Sequence, residues 1–453
     1  MINKRYILAI DVGTTSVKTV IFDTCGRELA CRICEYALEK PCPDFVEVEP
    51  EVYWNAVREG IAGVMNDAGL RQDDIAAVGV TSQAETLIVL DAQGKPLRKA
   101  IVWLDNRAKA EAAQIATDFS REEVYRVTGQ QEIVPTWTAC KLLWLRNHEP
   151  ETFAEAAEFL MVEDYIIYRL TGNFATDHAL NPSTLYYDLV NGCWWDEMLD
   201  YLGVRKDQLP ELKYSGETAG YVTSASDVAI GSGAAVCVSP IDQVAAAVGA
   251  GNIAPGMITE TTGSAMAVCA TLDAPAYDEK MRIGLYRHAL AGQYIMMPWI
   301  PTAGMVLRWF RDEMAPDMNY QELSRLAETV PAGCDGMLML PHLTGAFCPD
   351  VNPAATGVFH GIGLGHGRGH FVRAIFEAVA FTLRQNVDVL KEAGLKCSAV
   401  RSLGGGAKDA LWLQIKADVL DCPVEVPACS EATCLGAAIL AAAGAGIFPS
   451  VSE

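Results

Sequence analysis

Asp11-Val12-Gly13-Thr14-Thr15-Ser16-Val17-Lys18 lies between two apolar, strand-like runs, Tyr6 to Asp11 and Val17 to Asp23. This octet predicts a tight hairpin whose turn is built from glycine and small hydroxyl residues. Such a turn presents backbone N–H groups and hydroxyls together, which is a cradle for phosphate oxygens. Lys18 adds a cation on the returning strand. Asp11, at the end of the first strand, is placed to hold Mg2+ directly or through water. The plainer reading is a glycine-containing β-turn with a capping aspartate, and the octet alone does not choose between the two.

Beyond the hairpin, a third strand is predicted from Arg27 to Ile33 after a Cys25-Gly26 turn. A helix is predicted from Tyr53 to Ala68, with Trp54, Val57, Ile61 and Met65 at helical spacing. Ile75 to Val80 is almost continuously apolar, as a buried parallel strand should be. The second half repeats the plan. Met257 to Val268 reads as strand, Gly263-Ser264 turn, strand. Phe371 to Ala393 reads as a long helix with Phe371, Ile375, Val379, Leu383, Val387 and Leu390 on one face. A short strand, Ala399 to Leu403, ends in Gly404-Gly405-Gly406 and leads to a helix over Asp409 to Leu420. A strand at Val424 to Val426 and an Ala-rich helix complete an α/β chain of two similar halves.

Composition narrows the function. The 453 residues are 51% hydrophobic and 20% charged, which excludes a disordered chain. The formal charge, 35 − 57 = −22, makes a general nucleic-acid or anionic-membrane binder a poor expectation. A bound polyanion would have to be held locally, by backbone amides and a few placed cations. The 14 cysteines do not read as a disulfide framework in a chain this long. Cys31 and Cys34 form a CxxC with no second pair at zinc spacing, so they and Cys429 and Cys434 read as ordinary thiols. Met1 to Tyr6 does not read as a signal peptide. The uncharged stretch from Cys434 to Val451 is Ala- and Gly-rich with Pro449, so a buried helix is expected there and not a membrane span. The expected location is cytoplasmic. No GxxxxGK[ST] occurs, and Gly361 to Gly369 nowhere gives GxGxxG.

Further clusters carry chemistry. Thr261-Thr262-Gly263-Ser264-Ala265 is a second turn of the same kind, and two such turns can hold one triphosphate. The glycines Gly404 to Gly406, between strand and helix, allow close approach of a flat ligand such as an adenine, or form a flexible loop. Asp242, in Pro240-Ile241-Asp242-Gln243, precedes the apolar run Val244 to Val248 and reads as a helix N-cap or as a catalytic carboxylate. Thr81-Ser82-Gln83-Ala84-Glu85-Thr86 and Trp103-Leu104-Asp105-Asn106-Arg107 each follow a predicted buried strand, where α/β crevices form. Gln, Glu, Asp and Arg beside a Trp platform suit a polyhydroxylated ligand. Alternatively, Asp105 and Arg107 only pair with each other and Trp103 is core.

Taken in order, these motifs resemble the FGGY carbohydrate kinases, the group of xylulokinase and glycerol kinase, over nearly the whole chain. The matching elements are Asp11 to Ser16, Ile101 to Arg107, and Asp164 with Tyr168-Arg169-Leu170-Thr171-Gly172. They continue with Asp177 and Asn181 to Thr184, Ile241-Asp242-Gln243, and Thr262-Gly263-Ser264. Pro341 to Gly345, Gly404 to Lys408 with Trp412, Gln414, Ala417 and Asp418, and Gly436-Ala437-Ala438 complete the series. The resemblance implies two RNase H-like domains of the actin/Hsp70/sugar kinase superfold, over 1–240 and 241–453, with ATP and substrate in an interdomain cleft. It implies that Asp242 is the general base, and that Mg2+ near Asp11 helps neutralise ATP. The ATP and phosphate residues would be Asp11, Thr14, Thr15, Ser16, Lys18, Gly263, Ser264, Gly304, Gly405 and Gly406. Gln83, Glu85, Trp103, Asp105, Asp242 and Gln243 would bind the substrate, and a homodimer is the expected assembly. Xylulokinases have QMHG where this chain has Gln83-Ala84-Glu85-Thr86. Glycerol kinase has QRET and a substrate-contacting Tyr, here replaced by Ala84 and Thr136. The expected activity is phosphorylation of a sugar or polyol hydroxyl in the manner of xylulokinase. The alternatives are a glycerol- or tetritol-type polyol kinase and a non-catalytic sugar- or nucleotide-binding relative.

Overall fold

The computed structural model describes residues 6–452, so the opening Met1 to Arg5 lies outside the described residues. The chain separates into two compact units. The first takes the chain as far as Gly251, the segment Leu285–Gln293 and everything from Glu431 on; the second comprises Asn252–Gly284 and Tyr294–Ser430. The expected division was a single cut between residues 240 and 241, whereas these units are discontinuous in sequence.

In the first unit the opening octet forms a hairpin. Tyr6–Val12 pairs antiparallel with Ser16–Asp23, with Asp11 directly opposite Lys18. Glu28–Glu35 pairs antiparallel with Ser16–Asp23 on the outer side. On the inner side Ile75–Ser82 runs parallel to Tyr6–Val12, and Ala235–Val238 runs parallel to Ile75–Ser82. These central strands are apolar along most of their length because both sheet faces are covered, with Asp11, Thr81 and Ser82 near their ends. Leu8, Ile10, Val12, Val78 and Val80 form one core with Tyr53, Trp54, Val57 and Ile61 of the helix Pro50–Asp67. Tyr165 and Ile166 of the helix Val162–Thr171 join the same core.

The other face is packed at backbone distance. A Cβ on Gly79 would stand 2.3 Å from the Ala437 carbonyl oxygen of the helix Ala432–Gly444. That helix lies equally close to the helix Asp242–Gly249: a Cβ on Gly436 would be 1.9 Å from Ala245 O, and one on Gly249 1.9 Å from Ala432 O. The Ala- and Gly-rich composition of the last helix therefore has a packing cause. Side chains larger than hydrogen at these positions would push the two helices apart.

The second unit repeats the topology. Met257–Thr262 pairs antiparallel with Met266–Leu272, which pairs antiparallel with Tyr294–Met297. Ala399–Leu403 runs parallel to Met257–Thr262, and Val424–Glu425 parallel to Ala399–Leu403. The long helix Arg368–Glu392 buries Val372, Ile375, Val379, Leu383 and Val387. Its Phe376 stacks on Trp412 of the helix Ala410–Leu420 with ring centroids 4.6 Å apart. Asp409 caps that helix by accepting from Trp412 N at 2.9 Å. Two RNase H-like α/β units are thus observed, as the resemblance implied. The strand predicted just before Trp103 is short, Ala100–Ile101. Cys31 and Cys34 are half-buried free thiols. Among the described residues no helix is long and apolar enough to cross a membrane.

The helix contact makes a testable demand. Gly436→Ala drives a methyl group into a backbone carbonyl and is expected to destabilise the protein by about 2 kcal/mol in urea unfolding. Gly365→Ala serves as the control. Its added methyl meets nothing within 4 Å among the described residues, and its effect should stay within about 0.5 kcal/mol.

Candidate active site

The first phosphate-type turn is closed by Gly13 N donating to Ser16 O at 3.0 Å. Tyr36, which sequence reasoning missed, braces it from outside. Its backbone N–H donates to Thr15 O at 2.9 Å, and its hydroxyl donates to Gly13 O. The Trp103 indole N–H donates to Thr14 Oγ1 at 2.8 Å, so the aromatic wall and the turn are one piece. Thr15 is exposed at the tip and Ser16 begins the returning strand. Lys18 is ion-paired with Glu431, at the start of the last helix. With the partners 413 positions apart in sequence, no local pattern could have announced that pair. Asp11 Oδ1 is buried with no hydrogen-bond partner among the described residues. Burial pushes the Asp11 carboxyl up to about 6, with Lys18 opposing the shift and Glu431 adding to it.

Asp242 is the first residue of its helix. Ile241 holds the N-cap position, and Asp242 Oδ1 accepts from Gln243 N at 2.6 Å. The carboxylate therefore stands at the positive end of a helix and does not serve as its N-cap. Burial, and then the negative charge of Asp11, push its carboxyl up to about 7; Glu85 adds to the shift and hydrogen bonding to Gln243 opposes it. Asp11, Glu85 and Asp242 thus share one electrostatic neighbourhood. The loop before Asp242 is tied to the central sheet by Thr81 Oγ1, which donates to Pro240 O at 2.6 Å.

Gln83 is anchored by its backbone N–H on Val12 O at 3.0 Å, and its Nε2 lies 3.2 Å from the Tyr53 hydroxyl. Its Oε1 is buried with no partner among the described residues. Glu85 is buried at φ 60°, in the left-handed region that a non-glycine residue occupies only when its surroundings hold it there. The holder is Lys141, itself fully buried, whose ammonium donates to Glu85 O at 2.7 Å. Burial pushes the Glu85 carboxyl up and the Lys141 ammonium down, each charge opposing the other's shift. Lys141 was also missed. Its signal is a lone lysine inside the otherwise apolar run Ala139 to Leu145.

Asp105 has 0% exposure and both carboxylate oxygens occupied. Oδ1 accepts from Arg107 N and Nε at 2.9 and 2.8 Å, and Oδ2 from Val46 N at 2.6 Å and a second Arg107 nitrogen at 2.7 Å. Arg107 lies over the Phe45 ring at 3.9 Å. Asp105 therefore fixes the loop that carries Trp103 and presents no vacant acceptor.

In the second unit Gly263 N donates to Ala265 O at 2.9 Å, closing the second turn. The start of the helix Gly304–Met314 is sewn onto it. Gly304 N donates to Gly263 O at 2.9 Å, and Ala303 N and Met305 N both donate to Ser264 O, at 2.9 and 3.1 Å. A Cβ on Gly304 would lie 2.4 Å from Gly263 O, which explains the glycine. Arg308, one turn further along that helix, donates to Ser264 Oγ at 2.8 Å. Arg308 was not singled out from the sequence; its four-residue spacing from Gly304 on one helix face is the pattern that could have found it. Gly404 and Gly406 both pack against Thr262, at 2.8 and 2.7 Å from an added Cβ, so Gly405 and Gly406 lie beside the second turn.

The family models for the N- and C-terminal domains of the FGGY family of carbohydrate kinases match residues 6–249 and 257–445. The chain is 28% identical over 451 residues to the xylulose kinase of Bacillus subtilis, covering 99% of this chain and 90% of that protein. It is 31% identical over 459 residues to the glycerol kinase of Thermococcus gammatolerans, covering 99% and 91%. The crystal structure of gluconate kinase from Lactobacillus acidophilus superposes with a TM-score of 0.92 at 27% identity, covering 99% of this chain and 91% of that one. These matches span both halves of the chain and every turn described above: the protein belongs to the FGGY family of carbohydrate kinases, phosphotransferases that use ATP to phosphorylate an alcohol group.

Proposed function

We propose that this kinase transfers the γ-phosphoryl group of ATP to a hydroxyl of a neutral sugar or polyol, with Asp242 as general base. The observation that carries the reading is the Asp242 carboxyl, pushed up to about 7 by burial and by Asp11 and Glu85. A base tuned to neutral pH can accept the hydroxyl proton as that oxygen attacks phosphorus. Gln83, Glu85, Trp103 and Gln243 form the acceptor wall around it, and Asp105 supports that wall through Arg107 and the Trp103 loop.

The turn Gly13 to Ser16 in the first unit and the turn at Gly263-Ser264 in the second each take phosphate oxygens on backbone N–H groups and hydroxyls. Lys18 and Arg308 supply charge at those turns, and Gly304, Gly405 and Gly406 allow close approach of the nucleotide. Asp11 fits a Mg2+ ion. Its Oδ1 is buried without a partner among the described residues, and Mg2+ is commonly held by one or two carboxylates with phosphates and water. Such an ion would neutralise triphosphate charge. Phosphoryl transfer needs little else from the protein than positioning and charge stabilisation.

The acceptor wall also speaks to substrate class. Asp242 and Glu85 stand near each other, with Asp11 beside Asp242, so these carboxylates outnumber the single buried ammonium of Lys141 next to Glu85. Carboxylates accept from hydroxyls and repel an anionic substrate, so ketoses and polyols fit this wall better than an aldonate. An ADP-release screen over ketoses, aldoses, polyols and gluconate should show turnover confined to the neutral compounds; turnover of gluconate alone would overturn that preference. Absence of turnover on every compound would favour a non-catalytic relative. With the best substrate, Asp242→Asn is expected to lower kcat by roughly 10^2- to 10^4-fold while ATP binding persists. Activity near the parent level would exclude Asp242 as the base.

The pH profile follows from the same carboxyl. Only ionised Asp242 accepts a proton, so kcat/KM should rise through about pH 7 and level off above it. Glu85→Gln removes a negative neighbour and should move that acidic limb to lower pH.

A further inference from the structure

Lys416 lies on the helix Ala410–Leu420 between the nucleotide-motif residues Gln414 and Asp418, and it is 0% exposed. A charge so deeply buried demands complete pairing. Its ammonium donates to Glu260 Oε1 at 2.5 Å, Thr262 Oγ1 at 3.0 Å and Ser402 Oγ at 3.3 Å, which matches three donors with three acceptors. Glu260 is equally buried; its Oε2 accepts from Thr262 Oγ1 at 2.6 Å, and its Oε1 accepts from Ser402 Oγ.

Thr262 stands at the centre. Its hydroxyl donates to Glu260 and accepts from Lys416, so its side chain is held from both sides. The next residues, Gly263 and Ser264, form the second phosphate turn. The Thr262 carbonyl oxygen would lie 2.8 Å from a Cβ on Gly404, and its Cβ 2.7 Å from one on Gly406. One buried residue therefore touches the glycine loop and anchors the turn. A buried ion pair is a weak source of stability, since apolar residues of similar volume often serve as well. What it supplies is direction, because each partner has one arrangement that satisfies it.

Building on the reading that the second unit holds the nucleotide, we propose that Lys416, acting through Glu260 and Thr262, is a positioning residue for ATP. It sets the register between the Gly263-Ser264 turn and the Gly404 to Gly406 loop. None of the three side chains needs to touch the nucleotide. Loosening the network misplaces one motif relative to the other, and nucleotide binding suffers before acceptor binding does.

The test uses the full chain. Thr262→Val keeps the shape and removes the shared hydroxyl, whereas Thr262→Ser keeps the hydroxyl. Thr262→Val is expected to raise the KM and Kd for ATP roughly tenfold, with the acceptor KM within about twofold. Thr262→Ser should restore the ATP constants to within about threefold of the parent. The double variant Glu260→Gln with Lys416→Met removes both buried charges together, and should show the same ATP-selective loss if Thr262→Val proves too unstable to assay. A folded Thr262→Val or double variant with unchanged ATP constants overturns the proposal, as does an equal rise in both KM values. A parent protein that binds no ATP would instead overturn the functional reading on which the proposal rests.

Discussion

The close approach of two helix backbones governs the first unit. Asp242–Gly249 and Ala432–Gly444 meet where Gly249 and Gly436 leave no side chain between them, and Gly79 lets the same helix sit on the central sheet. Asp242 is the first residue of one of these helices and Glu431 immediately precedes the other. The contact that packs the helices therefore also fixes the distance from the carboxylate to Asp11 and brings Glu431 to Lys18. A packing requirement and an electrostatic one are met by the same few glycines. This arrangement explains why so uncharged a segment lies next to so charged a site.

Much of this was legible in the sequence. The hairpin octet specified its own turn, because glycine and small hydroxyl residues between two apolar runs leave few other solutions. The parallel strand Ile75–Ser82 and the long helix Arg368–Glu392 followed from hydrophobic runs and helical periodicity. The recurrence of the plan in the second half also followed, since Thr262-Gly263-Ser264 repeats the logic of Gly13 to Ser16. What escaped was long-range. Glu431 on Lys18, Lys141 under Glu85 and Lys416 under Thr262 join residues whose separation in sequence carries no pattern. For Asp105 the sequence left a substrate contact and a pairing with Arg107 both open, and the carboxylate spends both oxygens on Arg107 and Val46. Residue type alone cannot distinguish a vacant carboxylate from an occupied one.

The charge balance acquires a local meaning. With 57 acidic side chains against 35 lysines and arginines, the chain has no surplus of cations to spread over a surface. Two lysines near the motifs are individually matched: Lys18 with Glu431, and Lys416 with Glu260. Arg308 is held on the Ser264 hydroxyl. Cations held in this way are oriented before a ligand arrives, so less ordering is left for the binding step.

The return of the chain to its first unit also constrains biosynthesis. The helix Ala432–Gly444 covers the face of the sheet that begins at Tyr6. As the chain leaves the ribosome, the opening hairpin and its neighbouring strands are made early, but this covering arrives only after the second unit has been translated. Until then Ile7, Ala9 and Gly79 present an open, apolar sheet face to solvent or to whatever holds the nascent chain. Domains usually fold as they emerge, from the N-terminus onward. Here the first unit reaches its native packing last, and the long-range contacts that complete it are of the kind that form slowly.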